Sequence, residues 1–351
     1  MGKSNEEKTV KAYKGFDSEL KCRDFQYEVG KEYEMDGEID CCSRGFHACE
    51  SPLEVLGYYF LDKDAGFCRF CEVEQSGKMN KDDDGSTKIA SSKIKIKAEL
   101  KFADLIKLGI EWIQKKTRNS KDKNDNGGHY AKIGSSGDYA QIGSSGYYAQ
   151  IGSSGNSATI GSSGNSATIG SSGYYAKIGS SGHYAKIGSS GHSATIGSSG
   201  NSATIGSSGH YAKIGSSGHS AKIGSSGDYA TIGSSGYSAK IGSSGHSAKI
   251  GSSGNYAKIG SSGHSAKIGS SGDSAQINAT GEGSVICCAG IDARARAKKG
   301  SWITLSEWRY NKEKGRNVPV CVKTEQVDGE RIKEDTWYQL KDGEFVECSI
   351  D

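Results

Sequence analysis

The stretch IGSSGHSAKIGSSG, residues 241–254, carries a nine-residue pattern that decides the fold of the middle of the chain. An isoleucine recurs at every ninth residue from Ile133 to Ile277, and an alanine stands two residues before each isoleucine. Side chains two residues apart lie on the same face of a β-strand. Each unit therefore predicts one short strand followed by a Gly-Ser-Ser-Gly corner, whose glycines would supply the backbone freedom of a tight turn.

One strand of this kind cannot bury its apolar face alone, so the units are expected to stack into a solenoid. Equivalent residues of successive coils would lie about 4.8 Å apart, with Ala and Ile lining a narrow interior. Two units per coil, or 18 residues, suit a flat two-sided solenoid, and three units per coil are the alternative. A flexible Gly/Ser linker would not keep an isoleucine at a fixed spacing.

The predicted fold class is mostly β, and changes in composition divide the chain into four segments. A nonapeptide-repeat β-solenoid is flanked by a small N-terminal α+β domain and a C-terminal β cap. Within the N-terminal domain we expect strands over residues 9–16, 42–49, 67–74 and 88–100, and helices over 52–59 and 102–116. The segments are residues 1–117 for the α+β domain, 118–127 for a polar linker, 128–277 for the solenoid, and 278–351 for degenerate capping coils and C-terminal β-hairpins.

The composition argues against several classes of protein. Glycine accounts for 51 of the 351 residues and proline for only 2, which is unlike collagen or polyproline segments. No apolar run predicts a membrane span and no apolar leader follows Met1, so we expect a cytoplasmic protein that has no membrane partner. The 10 cysteines are then reduced thiols. Aspartates at positions 138, 228 and 273 are too few for a calcium-binding repeat.

Three positions of the repeat vary and would form stripes along the solenoid. The first is His, Asn, Asp or Tyr, the second Tyr or Ser, and the third, between Ala and Ile, is Lys, Thr or Gln. With 18 residues per coil, Lys222, Lys240 and Lys258 would stack in one column and Lys249 and Lys267 in the other. The candidate binding residues are Lys177, Lys186, Lys213, Lys222, Lys240, Lys249, Lys258 and Lys267, together with Tyr175, Tyr184, Tyr211, Tyr229 and Tyr256.

This pattern favours a non-enzymatic scaffold that binds an extended partner. The repeat block has 9 lysines and 3 aspartates, and stacked lysines repel each other unless water or a polyanion separates them. The candidate partners are nucleic acid, another polyanion or a protein. The alternatives are a solvated face whose lysines prevent aggregation, a solenoid that self-assembles into a fibre or homo-oligomer, and an N-terminal effector or enzyme on an inert spacer.

The sequence assigns no catalytic residue, cofactor or metal. The histidines of the repeat share one position with Asn, Asp and Tyr, which is typical of a surface turn. An N-terminal active site would draw on Lys14, Arg23, His47, Glu72 and Glu74, but their spacing singles out no reaction. Buried thiols are the interpretation favoured over zinc for the N-terminal cysteines, which are Cys22, Cys41, Cys42, Cys49, Cys68 and Cys71.

Two N-terminal stretches, CRDFQYEVGKEYE at residues 22–34 and GFHACESPLEVLGYY at residues 45–59, resemble a poorly characterised domain of phage and bacterial proteins. In that family the domain often precedes a glycine-rich repeat and a C-terminal segment like KKGSWITLSEW, here residues 298–308. The resemblance implies a phage or prophage origin and brings no established activity. The strand-to-helix step in GFHACESP is also similar to ADP-ribosyltransferase-like folds, an analogy of fold alone.

Overall fold

A computed structural model describes residues 9–41, 43–59, 68–81, 86–118 and 128–350. It contains an N-terminal β domain, a β-solenoid of about ten turns over residues 132–305, and a C-terminal β region, which confirms the predicted fold class. Among the described residues, no helix has both the length and the apolar character that crossing a membrane requires.

The N-terminal domain is built on a five-stranded sheet with the strand order β4-β7-β5-β1-β6. A two-stranded hairpin lies beside it, and a 3₁₀ helix and an α-helix complete the domain. The elements are β1 (Val10–Phe16), β2 (Lys21–Cys22), β3 (Phe25–Gln26), β4 (Glu32–Glu34), β5 (Phe46–Cys49), the 3₁₀ helix (Pro52–Gly57), β6 (Arg69–Lys81), β7 (Lys88–Leu100) and α1 (Phe102–Arg118).

The predicted β1, β7 and α1 are confirmed, whereas three other predicted elements differ. The strand expected over residues 42–49 begins only at Phe46, because Gly45 has a φ of +134° that interrupts an extended backbone. Residues 42 and 67 lie outside the described chain. The strand expected over 67–74 continues to Lys81, where it still pairs with β7, and the helix from Pro52 is a 3₁₀ helix of 6 residues. Strands β2, β3 and β4 were missed.

The solenoid has two parallel sheets. The N-terminal domain packs on one of them, which we call the covered sheet, and the other is called the open sheet. The covered sheet contains β8 (Lys132–Ser135), β10 (Gln150–Ser153), β12 (Thr168–Ser171), β14 (Lys186–Ser189), β16 (Thr204–Ser207), β18 (Lys222–Ser225), β20 (Lys240–Ser243), β22 (Lys258–Ser261), β24 (Gln276–Ala279) and β26 (Arg294–Ala297). The open sheet contains β9 (Gln141–Ser144), β11 (Thr159–Ser162), β13 (Lys177–Ser180), β15 (Thr195–Ser198), β17 (Lys213–Ser216), β19 (Thr231–Ser234), β21 (Lys249–Ser252), β23 (Lys267–Ser270), β25 (Val285–Cys288) and β27 (Trp302–Asn311).

Each coil contains two strands and 18 residues, as the repeat favours. Lys222 pairs in register with Lys240, and Lys240 with Lys258, so these lysines stack as predicted. The Ala and Ile columns form the interior; Ile151 and Ala158 are fully buried. The first serine of each corner also points inward, as Ser153 does.

The coils continue beyond Ile277 with other residues in the same register. Ile286, Ala295 and Ile303 extend the interior column, and all three are buried. The end of the stack is then closed by β28 (Arg316–Gln326), β29 (Tyr338–Lys341) and β30 (Glu344–Glu347), with Tyr338 and Leu340 packed into the core.

The role predicted for the corner glycines is wrong. A positive φ occurs not at these glycines but at the second variable position, for example +56° at Tyr148 and +54° at Ser247. The corner glycines are needed for space: a Cβ added to Gly254 would overlap the carbonyl oxygen of Gly236, one coil below. The stacking distance between coils therefore requires glycine at this position.

Candidate functional site

The outward glycines of the covered sheet form a trough that receives the N-terminal domain. A Cβ on Gly152 would lie 3.5 Å from the Cα of Ile110, and one on Gly170 would lie 2.9 Å from Cδ1 of Leu53. A Cβ on Gly188 would overlap the side chain of Ile106. Glycine therefore allows these apolar side chains to approach the backbone of the sheet.

The spacing of apolar residues on α1 matches the spacing of the coils. Ile113 contacts the sheet at Gly152, and Ile106, seven residues earlier, contacts it at Gly188, two coils further along. Seven helical residues span about 10.5 Å and two coils about 9.6 Å, so every second turn of α1 meets every second coil of the trough. Ile106 and Ile113 are fully buried as a result.

The same contact buries part of the variable column of the covered sheet. Gln150 donates from Nε2 to Oε1 of Glu54 at 2.7 Å, and Thr168 is buried beside it. Lys186 is half-buried, and its burial lowers the pKa of its ammonium group while Glu54 opposes that shift. Lys186 is thus placed under the N-terminal domain and apart from the exposed lysines.

The open sheet presents an uncovered face over most of its length. Its outward glycines are exposed at every coil from Gly143 to Gly251, and the space around a Cβ added to Gly143, Gly161 or Gly179 is empty. On the covered sheet the corresponding glycines are buried from Gly152 to Gly242. The two faces therefore differ in accessibility although their sequences are nearly the same.

A column of lysine and threonine runs beside the exposed glycines. Its members from β13 to β23 are Lys177, Thr195, Lys213, Thr231, Lys249 and Lys267, and all of them are exposed. None of the four lysines forms an ion pair in the part of the chain that the structure describes. The remaining predicted lysines, Lys222, Lys240 and Lys258, lie on the covered sheet beyond the contact with α1.

The predicted tyrosines divide between the two edges of the solenoid. Tyr175 and Tyr211 lie two residues before Lys177 and Lys213, at the corner that leads into the open sheet, and Tyr229 lies at the same edge. The rings of Tyr211 and Tyr229 stack at 5.4 Å. Tyr184 and Tyr256 lie at the other edge. All five rings are exposed.

A second candidate site is a cavity of about 850 Å³ in the N-terminal domain. Its wall includes Lys14 of β1, Cys22 and Arg23 of the β2–β3 hairpin, His47 of β5 and Tyr59 after the 3₁₀ helix. Three of the residues considered for an N-terminal active site, Lys14, Arg23 and His47, are thus brought together by the fold. The other two are not: Glu72 pairs with Lys11 at 2.9 Å and Glu74 with Lys97 at 3.1 Å, and neither lines the cavity.

The floor of this cavity is polar although it is buried. Lys14 is 5% exposed and donates to the carbonyl oxygen of His47 at 2.8 Å and to Sγ of Cys22 at 3.4 Å. The hydroxyl of Tyr59 donates to the same sulfur at 3.2 Å. Gly15 permits this arrangement, because a Cβ there would lie 2.5 Å from Cβ of Tyr59.

The N-terminal cysteines have different surroundings, and no metal site is formed among the described residues. Cys41, Cys49, Cys68 and Cys71 are buried, and burial raises the pKa of the Cys71 thiol to about 12. Cys42 lies outside the described chain. Buried neutral thiols of this kind act as small apolar core residues.

The comparisons with known proteins locate one family match. Residues 10–108 match a family described as a domain of unknown function, DUF7666. Searches of curated proteins and of solved structures found no significant match. The match covers the N-terminal domain, with its cavity, and the first part of α1; the solenoid lies outside it.

Proposed function

We propose that the protein is a non-enzymatic scaffold that binds an extended polyanion along the open sheet. The observation that carries this proposal is the row of exposed glycines from Gly143 to Gly251, beside lysines that form no ion pair with the described residues. Six coil steps separate these glycines, which makes the face about 29 Å long. A face of this length suits a linear partner better than a small ion.

Single-stranded nucleic acid is the polyanion that the side chains fit best. Lys177, Lys213 and Lys249 recur at every second coil, about 9.6 Å apart, so they can contact a backbone without crowding each other. Tyr211 and Tyr229 stand at the edge of the same face, where exposed rings can stack on bases. Lysine charge with aromatic stacking is the usual combination for binding single strands without sequence preference.

The phage or prophage origin and the cytoplasmic location are part of the proposal. They are supported by the resemblance of the two N-terminal stretches and the C-terminal segment, and by the composition of the chain. A scaffold of this kind would hold a single strand while the N-terminal domain, fixed on the other sheet, performs a separate task.

The test is binding of the full chain to labelled poly(U) across a salt series. Replacing Lys213, Lys249 and Lys267 with Gln removes three cations from the open sheet. We expect the slope of log affinity against log salt to fall in magnitude by about 2, because each phosphate contact with a single strand contributes about 0.7. Binding at moderate salt should fall below detection.

The matched control replaces Lys222, Lys240 and Lys258 with Gln, which removes the same charge from the covered sheet. This variant should bind almost as the unmodified chain does. Equal losses in both variants would show attraction by net charge alone, and no binding at low salt would contradict the proposal. Heparin, a polyanion without bases, separates the contribution of charge from that of stacking.

A further inference from the structure

The cavity of the N-terminal domain is lined by three cationic and two acidic side chains. Lys14, Arg23 and Lys88 line it, and neither Lys14 nor Arg23 forms an ion pair with a carboxylate in the described residues. Of the two acidic residues in its wall, Asp24 is exposed at the hairpin tip and Glu34 pairs with Lys93 at 3.3 Å. Lys14 and Arg23 therefore carry the positive charge of the cavity that meets no carboxylate among the described residues.

Lys14 is the most unusual of these groups. It is almost fully buried, and its Nζ lies 5.6 Å from the ring centre of Tyr27 and 5.5 Å from that of Phe16. Burial lowers the pKa of the Lys14 ammonium group. The pKa of His47 is also lowered, by its own burial and by the nearby cations Lys14 and Lys88. A buried ammonium group costs folding free energy unless a counter-charge reaches it. An anion that enters the cavity would supply that charge.

The rest of the wall is aromatic and neutral. Phe25, Tyr27, Tyr33 and Phe46 pack edge-to-face, with ring centres 4.7 to 6.4 Å apart, and Tyr59 also lines the cavity. Burial raises the pKa of Tyr27 and of Tyr59, so both keep their hydroxyl protons at neutral pH. A volume of about 850 Å³ is within the usual range for small-molecule sites.

We propose that this cavity binds a small planar anion, an aromatic ring bearing a phosphate or carboxylate, with its charge beside Lys14 and Arg23 and its ring among the tyrosines. Arg23 stands at the first position of the two-residue β2–β3 turn with a φ of +57°, where glycine is favoured. Arg23, which forms no ion pair with any described residue, is thereby held at the wall of the cavity.

The test is fluorescence titration of the full chain with 2-naphthyl phosphate, which has both a ring and an anionic group. We expect saturable binding with a Kd below about 1 mM, at least tenfold tighter than that of 2-naphthol or inorganic phosphate. Lys14→Met and Arg23→Gly should each weaken binding of 2-naphthyl phosphate at least tenfold. 2-Naphthoate, titrated in parallel, distinguishes a preference for carboxylate from a preference for phosphate.

The variants also separate binding from folding. Lys14→Met removes a buried ammonium group and Arg23→Gly removes a left-handed non-glycine residue, so both should melt at the same temperature as the unmodified chain or higher. Lys101→Met, at an exposed lysine outside the cavity, is the matched control and should bind normally. If Lys14→Met fails to fold, the affinity of Arg23→Gly for 2-naphthyl phosphate alone tests the proposal.

Three results would overturn the proposal: no saturable binding by the unmodified chain, binding by Arg23→Gly and Lys14→Met as tight as that by the unmodified chain, or 2-naphthol binding as tightly as its phosphate. The chain with Lys213, Lys249 and Lys267 replaced by Gln should still bind 2-naphthyl phosphate fully. If this variant lost binding, the probe would be bound by the solenoid and not by the cavity. The proposal for the cavity and the proposal for the open sheet can therefore fail independently.

Discussion

Gly254 and Ser247, in one repeat unit, show how the coil stacking decides which residue each position accepts. Gly254 lies against the carbonyl oxygen of Gly236, so there is no room for a side chain, although its φ is ordinary. Ser247 has the positive φ that glycine prefers, yet the position carries a half-buried serine. The lack of space therefore requires glycine at position 254. At position 247 a serine is tolerated although the backbone conformation favours glycine.

Gly254→Ala should lower the free energy of unfolding by about 1 to 3 kcal/mol, because the added methyl group forces neighbouring coils apart. Ser247→Gly should leave it unchanged or raise it by up to about 1 kcal/mol, since the left-handed backbone costs less in glycine. Urea unfolding of both variants measures the difference. A Gly254→Ala variant as stable as the unmodified chain would refute the close approach of the coils.

The sequence predicts which residues of a repeat unit line the interior of the solenoid, but it does not predict why the corners need glycine. The Ala and Ile columns follow from a two-residue period, since burial on one face is all that they require. The need for glycine at Gly254 depends on the distance to the next coil, which no single unit reveals.

At the scale of elements, α1 and the glycine trough are complementary. The apolar pattern of the helix predicts its limits to within two residues, from Phe102 to Arg118. Its docking could not be predicted, because every unit has the same glycine and both sheets look alike in sequence.

Gly188→Val should weaken this docking, because the new side chain would overlap Ile106. We expect faster hydrogen exchange throughout α1 and loss of about 1 to 3 kcal/mol of stability. Gly179→Val is the matched control on the open sheet, where a Cβ meets nothing within 4 Å, and it should leave α1 unchanged. Equal exchange in α1 for both variants would contradict the docked arrangement.

Across the whole molecule, the N-terminal domain makes two nearly identical sheets unequal. It covers one and leaves the other open, so the lysines that look equivalent in sequence divide into separate groups. The sequence predicts the columns of lysine, and it cannot predict that Lys186 is half-buried while Lys177 and Lys213 are exposed. The cavity is likewise invisible in sequence, because Lys14, Arg23 and His47 meet only in the folded sheet.

Lysine acetylation footprinting with and without poly(U), read by mass spectrometry, tests this division most directly. We expect poly(U) to protect Lys177, Lys213, Lys249 and Lys267 on the open sheet and to leave Lys222 and Lys258 as reactive as before. Lys186 should react slowly in both conditions, because the N-terminal domain covers it. Protection of Lys222 and Lys258 equal to that of the open sheet, or protection of neither group, would contradict this expectation.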